Sequence, residues 1–415
     1  MREAVTPGDE RVLLDGAIRA VIERDACSGC GACTLLDGGL RMRESADGYA
    51  RPHRDAEGKI VDDATVRFAS ACPGVTVSAN PTAGARRHPT MGAYLEVWMA
   101  WATDPAVRHQ ASSGGVLTAL NTWLLESGRV SRVVGAASAA DPRRSVPVTI
   151  TTRAEAFDTA GSRYSPVSIL SNVDVTASDS AVVAKPCEAS ALARLTRHDG
   201  TGAAEAPVIL SFFCAGTPSS MATDRLLDHL GMSSDVKIDE LWYRGRGWPG
   251  RFTARAGETV VDTSYDDSWG KALGPSTQWR CKICPDGVGE SADIVAADYW
   301  ETDDRGYPRF IEGDGASALI ARTPRGLQLV LEAVDEGVIQ VETITMNSVA
   351  EVQPLQRERR QYLAARLLGS VLAGRKVPSY RGFELLRLSL HDPRKAITVL
   401  RGAYGRVRRA EQAKT

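Results

Sequence analysis

The sequence predicts an α/β core flanked by a small cysteine-held unit and a helical C-terminal extension. Three observations predict it. Short apolar runs alternate with helical or loop segments over about residues 90–345, the pattern of an α/β layer with some antiparallel pieces. The eight cysteines fall into two sets of four, Cys27, Cys30, Cys33 and Cys72, then Cys187, Cys214, Cys281 and Cys284. Beyond about residue 350 the chain reads as helical and carries a clear excess of Arg and Lys over Asp and Glu.

Each part follows from its residues. Residues 1–85 are rich in Gly, Asp and Arg with short apolar runs, and a unit this small calls for a metal to hold it. A linker, Asn80 to Pro89, follows. In the core, 90–345, strands are expected at Val97–Ala102, Val133–Ala137, Ala181–Ala184, Val208–Phe213, Asp293–Ala297 and Ala318–Ala321. A helix is expected over Gly115–Leu125, where Val116, Leu117, Leu120, Leu124 and Leu125 recur at helical spacing. The extension spans 350–415. It reads as a docking surface, a peripheral contact with anionic membrane, or a segment packed on acidic parts of its own chain.

Composition narrows the function classes. The 415 residues carry a net charge of -1, which gives no case for nucleic-acid binding. No apolar run is long enough for a membrane span, and Met1 to Gly16 shows no secretory pattern, so a cytoplasmic location is expected. Thiols stay reduced there, so clustered cysteines point to metal or redox work.

The first set reads C-x2-C-x2-C with a distant Cys72-Pro73. That spacing wraps three corners of a [4Fe-4S] cubane and takes the fourth ligand from afar. Gly29 and Gly31 let the backbone turn through positive φ. A structural zinc site is the competing reading, but zinc favours paired C-x2-C knuckles. The second set leaves more open. Cys187 and Cys214 each follow an expected strand, where sites collect in open sheets, yet each also reads as a small buried hydrophobe. Cys281-Lys-Ile-Cys284 alone could be half a zinc site or a redox dithiol.

Ser112-Ser113-Gly114-Gly115 precedes the expected helix and reads either as a plain cap or as a phosphate cradle. Gly161-Ser162-Arg163-Tyr164 reads as a turn or a nucleotide contact. Gly245-Arg-Gly-Trp-Pro-Gly250 matches G-x-G-x-x-G but leads into strand-like Arg251–Arg255, so it is a bent basic loop and no dinucleotide motif. Its Arg244 and Arg246 are suited to phosphate or carboxylate. Of the six histidines only His109 stands near these segments, and a surface role is expected for it.

Taken in order, these segments resemble the coenzyme F420 hydrogenase/dehydrogenase beta-subunit family, which includes 7-hydroxymethyl chlorophyll a reductase. The matching pieces are Cys27–Cys33, Cys72-Pro73, Ser112–Gly115, Gly161–Tyr164 and Lys185–Cys187. Phe213–Pro218, Tyr243–Trp248, Cys281–Cys284 and Ala292–Trp300 continue the match. The resemblance implies a ferredoxin-like iron–sulfur unit on a mixed-sheet, FAD-binding core. It implies two [4Fe-4S] clusters, one on each cysteine set. It makes Ser112, Ser113, Gly114, Gly115, Gly161, Ser162 and Tyr164 flavin contacts. The implied activity moves electrons from a one-electron donor such as ferredoxin through the first and then the second cluster to FAD. Coenzyme F420 or an organic substrate is the hydride partner. A non-catalytic electron-transfer subunit of a larger complex is the alternative, and a second copy of the chain is left open as a partner. The sequence departs from the family at Ala184-Lys185, where Gly-Thr is usual, and at Ala297, where Gly is usual. Lys185 is therefore expected to approach the flavin or substrate as a catalytic cation; a solvated lysine at a strand end is the plain alternative.

Overall fold

The computed structural model describes residues 6–80, 82–198, 200, 202, 205–303, 309 and 311–412. Its centre is an eight-stranded mixed sheet. In chain order the strands are β1 (Glu96–Ala102), β2 (Arg132–Ser138), β3 (Ser145–Ile150), β4 (Ser180–Ala184), β5 (Val208–Phe212), β6 (Ile294–Asp298), β7 (Ser317–Ala321) and β8 (Ile339–Thr343). They lie side by side in the order β8-β1-β7-β6-β5-β4-β2-β3. The four adjacent strands β6, β5, β4 and β2 run parallel, and the flanking pairs are antiparallel. The parallel strands are buried on both faces, which is why they read as continuous apolar runs such as Val133-Val134 and Ile209-Leu210. All six expected strands and the helix Val116–Glu126 are present. β3 and β8 were not expected. Each lies at a sheet edge with half-exposed polar residues, which blurs the apolar signal.

The N-terminal part opens on a 17-residue helix, Pro7–Glu23, which the short apolar runs had hidden. Leu14, Ile18 and Val21 face the core, and Thr6 Oγ1 accepts from Asp9 N at 3.2 Å to cap the first turn. A hairpin (Leu40–Glu44 with Ala50–Arg54) and the helix Ala64–Ala71 complete it, and Cys72 caps that helix's C-terminal end. The apolar core that begins at Leu14 runs on through Val134, Val182 and Val295 to Val349. The expected linker is a correction: Arg86–His88 pairs antiparallel with Gly92–Tyr94, and Arg87 donates to Glu290 at 3.0 Å. Pro81 of that segment lies outside the described residues.

A three-stranded antiparallel sheet (Glu240–Trp242, Phe252–Ala256, Thr259–Thr263) has its own apolar centre around Tyr243 and Phe252. The G-x-G-x-x-G segment is the loop between its first two strands and opens no helix. The extension is helical from Met346 to Leu372 and again over Leu385–Leu390 and Pro393–Gln412. One short strand, Ser379–Arg381, pairs with Thr76–Ser78 and ties the two ends of the chain together. Among the described residues no helix is long and apolar enough to cross a membrane.

Candidate functional site

In an open parallel sheet, carbonyls and side chains at the carboxyl ends of the strands face a crevice rather than a helix. Here that crevice is a cavity of about 410 Å³. Gly135, Ala136, Lys185, Phe212, Phe213, Cys214 and Asp298 reach it from β2, β4, β5 and β6 or the turns just after them. Ser112, Ser113, Gly115, Gly161, Ser162 and Tyr164 also line it. Gly114 is the exception among the expected contacts: its backbone lies against β1 and β7, where a Cβ would come 2.5 Å from Ala100 O.

The serine pair does not cap the helix as expected. Gly115 is the N-cap, at φ 74°, with no side-chain cap. Ser113 Oγ instead donates to Ala316 O at 2.8 Å, and Ser162 Oγ donates to Ser112 Oγ at 2.8 Å. The two segments that the sequence paired by resemblance are thus joined across the cavity wall. Three buried polar atoms on lining residues, Asn121 Oδ1, Ser165 Oγ and Arg244 Nη2, have no protein partner. An acceptor, a hydroxyl and a donor left over in a large cavity suit a ligand with polar edges, as FAD has.

Lys185 is not a solvated lysine. It is buried, and its Nζ donates to Glu188 Oε1 at 2.6 Å and to Val167 O at 2.7 Å. Burial works against its charge, but the Glu188 carboxylate outweighs burial and raises its pKa above the usual lysine value. The cation expected beside the cavity is therefore present with its own counter-ion.

Arg244 is buried too. Its Nη1 donates to Asp298 at 2.7 Å, and its guanidinium lies within about 5 Å of the ring centres of Trp248, Tyr265 and Trp300. It meets a carboxylate of its own chain. Arg246 stacks on Trp242 at the surface. Tyr265, Trp269 and Trp300 line the cavity, and no spacing rule marked them. His109 is exposed, and its carbonyl accepts from Gly247 N at 2.9 Å.

The cysteines come together in two groups. Cys27, Cys30, Cys33 and Cys72 all line one small, mainly apolar cavity with Ile18, Phe68 and Leu195. Gly29 and Gly31 have φ of 72° and 88°, and a Cβ on Gly31 would come 2.7 Å from Ser171 N. Burial and neighbouring sulfurs push these thiols up, Cys30 to about 11 and Cys33 well above its usual value. In the second group Cys214 feels Cys281 and Cys284, and burial with those sulfurs pushes it up to about 12. Cys187 stands near both Cys214 and Cys30, which makes the two groups neighbours. Such thiols ionise only against a positive centre that repays their burial. Among the described residues no three His, Cys, Asp or Glu side chains stand close enough together to hold a metal ion as they lie. Each group supplies the four-thiol donor set that a [4Fe-4S] cluster takes, so donor chemistry and number fit that group.

The C-terminal extension holds the second group in place, which no local motif announced. Gln356 and Arg359 donate to Cys214 O at 3.1 and 2.8 Å, and Arg359 also reaches Ala215 O. Arg366 donates to Lys282 O and Tyr380 to Ile283 O, both inside the Cys281–Cys284 turn. Arg360 pairs with buried Glu290. The first half of the extension thus packs on its own chain. Arg280 Nε, donating to Pro73 O at 3.1 Å, links the second group's helix to the first group's loop.

Fold and site together define a mixed α/β protein with a large cavity at its strand ends, one thiol in that cavity's wall, and four more round a smaller cavity. The chain belongs to the coenzyme F420 hydrogenase/dehydrogenase beta-subunit family: the family's N-terminal part matches residues 97–174 and its C-terminal part 178–347. It is 26% identical over 263 residues to the coenzyme F420 hydrogenase subunit beta of Methanococcus voltae, covering 61% of this chain and 86% of that one. It is 22% identical over 250 residues to the F420-dependent formate dehydrogenase 1 subunit beta of Methanococcus maripaludis, covering 59% of this chain and 61% of that one. A chain of the F420-reducing [NiFe] hydrogenase complex from Methanosarcina barkeri shares the fold. Its TM-score is 0.52 at 20% identity, with 68% of this chain and 94% of that chain covered. The relatives named here are subunits of oxidoreductases.

Proposed function

We propose that this protein is a cytoplasmic flavin- and iron–sulfur-dependent oxidoreductase. In this reading Cys27, Cys30, Cys33 and Cys72 hold one [4Fe-4S] cluster, Cys187, Cys214, Cys281 and Cys284 hold a second, and FAD lies in the cavity. The observation that carries the reading is Cys214. It belongs to the second thiol group and is also part of the cavity wall. Bound in these places, the clusters would carry single electrons and the flavin would couple them to hydride chemistry.

The chain's own residues orient and exclude. Ser112, Ser113 and Gly115 line the cavity at the N-terminus of the helix Val116–Glu126, where backbone N–H groups favour an anionic ligand. Gly161, Ser162 and Tyr164 form the wall beside them. Phe212 and Phe213 line the cavity with Cys214 and would keep water from that side. Lys185, fixed by Glu188, places a neutralised cation at the same side. The donor is a ferredoxin-like one-electron carrier, and the hydride partner is F420, favoured by the relatives' names, or an organic substrate. Those names also favour a second reading, in which the chain serves as the electron-transfer subunit of a larger complex.

Anaerobic purification with iron, sulfide and flavin analysis tests both. About eight iron atoms and one FAD per chain are expected. Zinc without iron would sink the cluster assignment. Reduction by F420H2, NAD(P)H and ferredoxin in parallel then separates the two readings, since a pure transfer subunit turns over no hydride partner alone.

A further inference from the structure

Charge is unevenly divided along this chain. Residues 363–415 hold twelve Lys and Arg against three Asp and Glu, while the whole chain holds 50 against 51. The remainder is therefore acidic, and elsewhere it pairs its arginines freely: Arg54 with Asp15 and Asp37, Arg144 with Glu44 and Asp224. A cluster beside the second thiol group does not follow that habit. Lys282 is exposed between half-buried Cys281 and Cys284. Arg366 lies against the same turn, its Nη1 on Lys282 O at 2.6 Å and its Nε without a partner. Arg406, exposed on the helix Pro393–Gln412, stands close enough that its charge acts on both. Among the described residues no carboxylate forms an ion pair with Lys282, Arg366 or Arg406, although an acidic majority of the chain is available for it.

Like charges gathered without counter-ions repel one another and raise a positive potential at that spot. The arrangement becomes favourable when a negative surface arrives. A lipid surface could neutralise the extension anywhere along its length. Here three cations, Lys282, whose Nζ donates only to the Pro275 carbonyl at 3.2 Å, Arg366 and Arg406, meet at one turn, and that turn carries two thiols of the second group. Exposed Leu368 and Leu372, on the helix Leu363–Leu372 that packs against Pro393–Gln412, add apolar contact to the same extension.

We infer that Lys282, Arg366 and Arg406 form the docking face for a small acidic electron-carrier protein, set over Cys281 and Cys284 by the C-terminal extension. The inference rests on the reading of the second thiol group as a redox centre. In each encounter the carrier loses one electron and the centre held by Cys187, Cys214, Cys281 and Cys284 gains one, with no bond made or broken. Electrons then enter beside the cavity, at the second group rather than the first.

The test uses the full chain, reconstituted anaerobically, with a reduced acidic ferredoxin as probe and dithionite as the small donor. Raising salt from about 20 to about 300 mM should slow ferredoxin-driven reduction of the wild type several-fold and leave dithionite reduction unchanged. The variant Arg406→Glu should lower the ferredoxin rate several-fold and flatten its salt dependence, again sparing dithionite. A control reversal at exposed Lys237 should do neither. A variant that keeps the wild-type ferredoxin rate and salt slope overturns the inference. So does wild-type protein that dithionite reduces but ferredoxin does not, which leaves the redox reading standing. A third contrary result is charge-dependent binding to phosphatidylglycerol vesicles with ferredoxin turnover unaltered, which assigns the face to a membrane. Protein that carries no iron under these conditions fails the redox reading, and the inference falls with it.

Discussion

Three thiols of the first group stand in one turn of chain, Cys27 to Cys33, whereas those of the second arrive at Cys187, Cys214 and Cys281–Cys284 from different strand ends and a separate turn. The first is held by covalent proximity and by two glycines that let the backbone fold back on itself. The second is held by the sheet and by side chains from the extension, some more than 140 residues away in sequence. The difference teaches where each is vulnerable. A local group fails when its own loop is altered. An assembled group fails when any of its distant supports is removed.

Cysteine substitution should have the largest effect and break the comparison most directly. Cys30→Ser and Cys214→Ser should each remove about half of the iron. Cys30→Ser should also loosen residues 7–80 toward protease, because that small unit leans on its metal, while Cys214→Ser leaves the sheet folded. Iron analysis with limited proteolysis checks this; loss of all iron from either variant would make the two groups one unit.

Next in size is the pair that anchors the extension. Arg360→Ala leaves Glu290 buried without its main counter-ion, and a loss of about 3–5 kcal/mol in denaturant unfolding is expected. Lys185→Met should cost a similar amount by stranding Glu188, and Lys185→Met/Glu188→Leu should recover most of it. If Lys185 also serves the flavin, its potential will shift in the double variant even where stability returns.

A milder support of the second group is Arg359. Arg359→Ala removes donors from Cys214 O and Ala215 O, and about 1–3 kcal/mol is expected, with iron lost from the second group only. The smallest effect belongs to the first group's surroundings. Asp37 is buried, which alone would raise its pKa, but Arg54, Gly39 N and Arg11 lower it below the usual carboxylate value. A depressed folded pKa gives stability that is present above the unfolded value, about 3.9, and is lost as pH falls through the folded one. Acid unfolding of the N-terminal part should therefore steepen below about pH 4 in the wild type and flatten in Asp37→Asn.

Much of the core was legible because β1, β2 and β4–β7 are apolar runs whose burial on both faces leaves a plain signal. The edge strands β3 and β8 and the helix Pro7–Glu23 were not, since half-exposed polar positions interrupt their patterns. Among site residues, Ser112, Ser113, Gly115, Gly161, Ser162 and Tyr164 were found through their motifs and do line the cavity. Gly114 turned toward the sheet, and of the aromatic wall only Trp300 fell within a named segment, Tyr265 and Trp269 within none.

The sequence by itself determined the first thiol group, six of the central sheet's eight strands, the family and the basic excess of the last part of the chain. Each of these is a local matter: residue spacing, periodicity and composition act over a few residues through covalent geometry and side-chain alternation. Only the tertiary structure decided that Cys214 lies both beside Cys281 and Cys284 and in the cavity wall, that Lys185 is neutralised by Glu188, and that the extension packs on the Cys281–Cys284 turn. Those outcomes depend on which surfaces meet when the sheet closes. Packing between segments far apart in sequence fixes them, and no short stretch of residues encodes it.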